Sequence, residues 1–252
     1  MLVSEVKTPG ELSAADADAL FALHAAHYEG ADPEQFRRDL FEKHWVILLR
    51  AETGPGAACR IVGFSTQKLV DARAACGVRA LFSGDTVIHR EYWGTQQLVR
   101  AWCRLAGALL ACERETPLYW FLISKGHRTY LYLPLFFREF YPRHDRPTPP
   151  EIQRVMDHLA GTRYPAEYDP GAGLIRPAPA ASDRLRPELD GAPQRGHNPH
   201  VAYFVARNPD YRRGTELVCL ARVAPENMRG AARREVEAGM CQPDIVTPAG
   251  PA

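Results

Sequence analysis

The sequence predicts a mixed α/β fold: one central mixed sheet with helices on both faces. Three stretches carry that reading. "WVILLRAETGPGAACRIVGFSTQKLV" is an apolar run, a Gly/Pro turn and a second run of period-two character, which together make an antiparallel hairpin. "VIHREYWGTQQLVRAW", Val87 to Trp102, is a strand end, a polar turn with one glycine at Gly94, and the start of an amphipathic helix. "LYWFLIS", after Pro117, is a continuous apolar run of the kind found in strands covered on both faces, so strand, helix and strand form a parallel crossover unit.

In chain order, Ser13 caps a helix with Leu20, Phe21, Leu23 and His24 on its apolar side, and Asp32-Pro33 opens a second helix through Phe36, Leu40 and Phe41. The hairpin follows, and after "DARAACG" the segment "VRALFSGDTVIH" is a third strand. The next helix has Leu98, Ala101, Trp102, Leu105, Ala108, Leu109 and Cys112 at helical spacing. "KGHRTYLYLPLFFREFYP" reads as a helical aromatic segment interrupted by Pro134 and closed near Pro142. Residues 142–199 are rich in proline and glycine, with a helix over Glu151 to Leu159, and read as a long insertion. "HVAYFVARNPDYRRGTELVCLARV" is expected to be two strands around a turn at Asn208 to Gly214, and residues 239–252 a loose tail. The whole chain, 1–252, is expected to be a single domain.

With 46% hydrophobic and 24% charged residues among 252, the chain can bury a sizeable core. A formal net charge of +1 excludes a global field for nucleic acid or anionic membrane, so any basic site is local. Lysine stands only at positions 7, 43, 68 and 125. Six cysteines without a CxxC pair suggest neither a zinc ribbon nor a disulfide framework. The acidic start and the lack of any run of roughly 20 apolar residues point to a soluble, cytoplasmic protein.

The order of elements around "VIHREYWG" resembles the GNAT acyltransferase superfamily, over roughly residues 12 to 142 and 200 to 223. That family's motif is a strand end, an aromatic residue, and Arg-Gly-x-Gly-x-Gly, whose backbone amides hold the pyrophosphate of acyl-coenzyme A at a helix N-terminus. Here Tyr92 takes the aromatic place and Gly94 the first glycine, while Trp93, Gln96 and Leu98 replace the arginine and the other glycines. A helix N-terminus can still bind an anion, and glycine mainly permits close approach. The resemblance implies donor contacts from the backbone of Val87, Ile88 and His89 and from Trp93, Gly94, Thr95, Gln96 and Gln97. With no third ligand near "HNPH", a metal site is not expected.

For a base that takes the amine proton, the candidates are His89 first, then Asp85 and Glu91. The family's thiolate-protonating tyrosine falls at Phe137, leaving Tyr130, Tyr132 and Tyr141 as substitutes. Lys125, Arg128, Arg138, Arg143, His144 and Arg146 make the end of the second crossover strand basic; Lys125, Arg128 and Arg138 are expected to bind substrate, and Arg143 and Arg146 to face solvent. The resemblance therefore implies an N-acyltransferase that moves an acyl group from acyl-CoA, or from an acyl-carrier protein, to a small-molecule amine, in specialised metabolism. A non-catalytic ligand- or partner-binding protein of the same shape, use of aminoacyl-tRNA, and chemistry other than acyl transfer stay open as alternatives.

Overall fold

A strand that the sequence reading did not anticipate, β1 (Leu2–Lys7), opens the chain ahead of the two expected helices, α1 (Ala14–His27) and, after the two-residue strand β2 (Tyr28–Glu29), α2 (Pro33–Phe41). The computed structural model describes residues 1–52, 59–177, 184–190 and 198–246. Both helices start as their caps dictate: the Ser13 hydroxyl accepts from Asp16 N–H at 3.0 Å, and the Asp32 carboxylate accepts from Gln35 N–H at 2.6 Å, with Pro33 in the first turn.

β3 (Trp45–Glu52) and β4 (Cys59–Ala72) are the expected hairpin, its Gly/Pro turn lying outside the described residues. The short α3 (Arg73–Cys76) leads into β5 (Val78–Ile88), α4 (Gln97–Cys112) and β6 (Leu118–Ser124), and β5 and β6 run parallel, as the crossover unit requires. α5 (His127–Tyr130) and α6 (Tyr132–Phe136) divide the aromatic segment, and α7 (Pro150–Arg163) is the helix expected over Glu151 to Leu159.

β7 (Tyr168–Asp169) and β8 (Leu174–Ile175) then extend the sheet, so part of the 142–199 segment is built into it. β9 (Arg184–Leu185) pairs with β2, and α8 (Pro187–Asp190) follows. Among the described residues the main sheet has eight strands in the order β1-β3-β4-β5-β6, then β10 (Glu216–Val223), β8 and β7.

The final hairpin is a correction. Its first half is α9 (Pro199–Arg207), because Asn198 caps a Pro-initiated first turn and Val201, Phe204 and Val205 recur at three and four residues. Phe204 is fully buried against Tyr130 and Tyr211. Of the expected tail, residues 247–252 lie outside the described residues, and the part up to 246 is not loose: α10 (Gly230–Met240) continues into a 3₁₀ turn at Pro243–Val246 whose Ile245 and Val246 pack on the main core.

One face of the sheet buries α4, with the Trp102 ring tilted against Trp120 at 4.7 Å, together with residues of α5, α6, α9 and α10. The other buries Leu20, Leu23, Phe36 and Leu40 of α1 and α2 over Val46, Leu48, Phe64 and Val87, and Val155, Met156 and Leu159 of α7 over Phe82 and Phe121. α4 and α10 approach closely through glycine: a Cβ on Gly107 would fall on the Val236 carbonyl, and one on Gly239 on the Arg104 carbonyl. Among the described residues no helix is long and apolar enough to cross a membrane.

Candidate active site

The two strands of the crossover unit part company. β5 pairs with β6 only from Arg79 to Ser83, opposite Leu118 to Leu122; beyond that β5 stays with β4 as far as Ile88, while β6 continues to Ser124 beside β10. The divergence begins at a β-bulge: Ser65 pairs with Thr86 and Gln67 with Ser83, so Thr66 alone faces Gly84 and Asp85. His89 N–H donates to Val62 O, which makes Gly63–Ile88 a non-hydrogen-bonded pair. By the same alternation the N–H and C=O of Ile88 and of Thr86 face away from β4, toward the gap that β6 has left.

At the far end of this gap lies the turn. Gly94 has φ +87°, the left-handed geometry its sequence position suggests, and α4 begins at Gln97. The Trp93 indole N–H donates to Ile88 O at 2.8 Å, and His27 Nε2 lies 3.1 Å from that carbonyl. The Trp93 ring in turn carries the Arg128 guanidinium 4.5 Å from its centroid. The residue that replaces the family's arginine thus holds another arginine, from α5, against the turn. The Gln96 side chain donates to Gly94 O at 3.4 Å, so its amide is engaged with the turn's own backbone.

On the α1 and α7 face the bulge is surrounded by charge. Asp85 Oδ1 lies 3.9 Å from Nδ1 of the buried His24, whose ring stacks on Tyr28 at 4.7 Å. Lys125 Nζ sits 5.3 Å from the Tyr28 ring centroid and 3.4 Å from Glu216 of β10. Lys43, from the connection between α2 and β3, is 6% exposed and lies across Gly84. A Cβ there would meet Thr66 Oγ1 at 2.6 Å and Lys43 Cε at 2.9 Å, so with glycine the lysine passes without displacement. Burial, and secondarily the positive charge of Arg163, push the Lys43 ammonium below its ordinary range. Arg163 stacks on Phe82 at 4.4 Å and donates to the Tyr164 hydroxyl at 3.2 Å. Burial, then the nearby Glu216 carboxylate, raise Tyr164.

The structure sorts the residues expected from sequence. Asp85 and Lys125 meet in this cluster; Trp93, Gly94 and Arg128 meet at the turn. His89 Nδ1 is 3.7 Å from Glu91 Oε2 in the turn beyond β5, apart from the Asp85–His24 pair. Tyr130 is fully buried and its hydroxyl donates to Pro142 O at 2.8 Å, with burial raising it far above the ordinary tyrosine range. Tyr132 stacks on Phe136 and is likewise raised by burial. Tyr141 is bridged to Leu220 within the core.

Arg138 N–H donates to Asn227 O, just past the end of β10 that pairs with Leu118, so Arg138 lies at the opposite end of β6 from Lys125. Arg143 is paired with Asp145, and Arg146 with Glu139. Of "HNPH", His197 lies outside the described residues, and the His200 ring packs 4.7 Å from His144. A surface cleft of about 640 Å³, lined by Lys7, Gln97, Arg100 and Arg104 among others, lies between β1 and α4, away from the charged cluster.

Sequence reasoning missed His24, Tyr28, Lys43, Arg163 and Glu216. His24 sits at apolar spacing on α1, and the others come from segments far apart in the chain. The one available signal was scarcity: two of the four lysines, Lys43 and Lys125, converge here.

A mixed sheet whose parallel pair splays at a bulge, followed by a turn into a helix, is the arrangement expected from the resemblance at "VIHREYWG". No protein-family model matches the sequence, and no curated protein does. Among solved structures the chain is similar to Arabidopsis thaliana NAA60 in complex with acetyl-CoA, at 12% identity over 56% of this chain and 89% of that one, with a TM-score of 0.40. It is also similar to an acyl-CoA N-acyltransferase from Pseudomonas aeruginosa (16% identity, 57% and 93% of the chains, TM-score 0.33) and to Escherichia coli ElaA (14%, 57% and 95%, TM-score 0.34).

Proposed function

We propose that the protein is an N-acyltransferase that moves an acyl group from a thioester donor, acyl-CoA in the simplest version, to the amine of a small-molecule acceptor. The observation that carries this reading is the gap between β5 and β6, with the backbone groups of Thr86 and Ile88 turned into it and the N-terminus of α4 at its end. An N–H in the gap can bond a thioester carbonyl and strengthen that bond as the oxygen gains charge. The phosphates of the donor would lie at the α4 N-terminus, where Arg128 on Trp93 supplies the cation that position 93 itself does not.

Asp85 with His24 is the base of this scheme in place of His89, because the pair stands at the bulge where the gap opens. It accepts the proton as the amine nitrogen bonds to the acyl carbon and the carbon–sulfur bond breaks. The thiolate leaves without Tyr130, whose hydroxyl is committed to Pro142.

One observation favours the second reading, a binding protein without turnover: the Ile88 carbonyl is already covered by Trp93 and His27. Calorimetry with acetyl-CoA and longer acyl-CoAs, followed by release of free thiol in the presence of amines, separates the two. Saturable binding with amine-dependent thiol release supports the transferase. Binding without thiol release supports the binding protein, and no heat with any acyl chain overturns the acyl-CoA donor.

A further inference from the structure

Two cations beside the bulge form no ion pair within 4 Å among the described residues, although the Asp85, Asp39 and Glu42 carboxylates act on Lys43 from further off. The Lys43 ammonium donates to Asp39 O at 2.7 Å, a helix-end contact that uses one of its three N–H groups. The Arg163 guanidinium is held by its face on Phe82 and by Nε on the Tyr164 hydroxyl, which leaves the two Nη groups without an ion pair among the described residues. Arg163 stacks on Phe82 and Lys43 crosses Gly84, two residues further along β5, so the two cations sit side by side on one strand. Keeping like charges together, one of them buried, is costly unless an anion joins them. Nearby Thr66 Oγ1 is buried without a hydrogen-bond partner among the described residues.

We propose that Lys43 and Arg163 bind the carboxylate of the acceptor, so that the acceptor is a free amino acid. This deepens the acyl-transfer reading and rests on it. Arg163 presents its Nη edge while its ring contacts fix its plane, the arrangement that suits the two oxygens of a carboxylate. Gly84, which Lys43 crosses, is the chain neighbour of Asp85, about 3.8 Å away along the backbone. The group that takes the amine proton therefore stands next to the group that holds the anion, as an amine and a carboxylate one carbon apart require. A phosphate dianion suits the place less, because Asp85 and Glu216 add two carboxylates to the same cluster.

The test is thermal shift and calorimetry with L-amino acids of varied side chain, each paired with its carboxamide, and with inorganic phosphate. The proteins are wild type, Arg163→Gln and Arg163→Lys, checked for native circular dichroism. In the wild type at least one amino acid binds saturably, and its carboxamide binds about 10- to 100-fold more weakly. Arg163→Gln abolishes that preference and Arg163→Lys restores part of it. The proposal is overturned if no amino acid binds, if carboxamides bind equally well, if Arg163→Gln keeps the preference, or if phosphate binds more tightly than every amino acid. Acyl-CoA binding, measured separately on the same proteins, distinguishes the two readings: carboxylate preference without acyl-CoA binding rejects only the donor, and the reverse rejects only the acceptor class.

Discussion

The turn after β5 and the bulge within it lie a few residues apart on one strand, yet they are built differently. The turn is local: Gly94 supplies its left-handed residue, Trp93 reaches back to Ile88, and Gln96 bonds to Gly94, so most of its partners lie within about one helical turn of sequence. The bulge draws Lys43 from before β3, Thr66 from β4, His24 from α1 and Arg163 from the end of α7. The turn departs from the glycine-rich pattern it resembles, and the charge absent from position 93 returns through Arg128. The bulge departs from no pattern because it has none in sequence, and it gathers the denser charge.

The strongest way to break this comparison is to unseat α4, which carries the turn. Gly107→Ala drives a methyl group into the Val236 carbonyl of α10, a backbone atom that cannot step aside. The expected loss is about 3 kcal/mol, the upper part of the overpacking range, and a Tm lower by roughly 6–12 °C. Donor binding should fall with the fold. An unchanged urea midpoint would show that the two helices are not locked by this contact.

Gly84→Ala acts on the bulge alone. Its methyl group meets Thr66 Oγ1 and the flexible Lys43 stem, which can yield, so about 1–2 kcal/mol is expected. The sharper readout is selective: amino-acid preference is lost while acyl-CoA affinity stays. Equal damage to both would mean that bulge and turn are one unit. The mirror experiment is Arg128→Ala with Trp93→Phe, each expected to weaken acyl-CoA binding about 3- to 10-fold, more at low salt, with no effect on acceptor preference.

Smallest in its effect on turnover is Tyr130→Phe. Removing the hydroxyl leaves Pro142 O without its donor and costs about 1 kcal/mol of stability, visible as a shift in urea midpoint. The rate of thiol release should stay within about twofold, since a barrier change below about 0.4 kcal/mol is all that this allows. A loss of several hundredfold would return Tyr130 to the chemistry.

Much of the fold was legible because it is written in short-range patterns. Caps at Ser13 and Asp32, the apolar run of β3 followed by the period-two run of β4, and the apolar run of β6 each specify an element with little outside help. Where reading failed, a neighbour outweighed the local pattern. The segment at Val201 to Val205 has an apolar content that suits either strand or helix, and the cap at Asn198 and the burial of Phe204 decide for helix. Residues 241–246 look loose in composition and are ordered by packing on α4.

The sequence by itself determined the mixed sheet, the crossover unit and a turn with one left-handed glycine at the start of α4, because those follow from periodicity, caps and backbone preference within a few residues. Only the tertiary structure decided that β5 leaves β6 at a bulge, that Trp93 carries Arg128, and that Lys43, Asp85 and Arg163 share one face with His24. Such charges meet through pairing register and helix packing, which bring residues from distant segments together, and their cost or use is defined only once they are side by side.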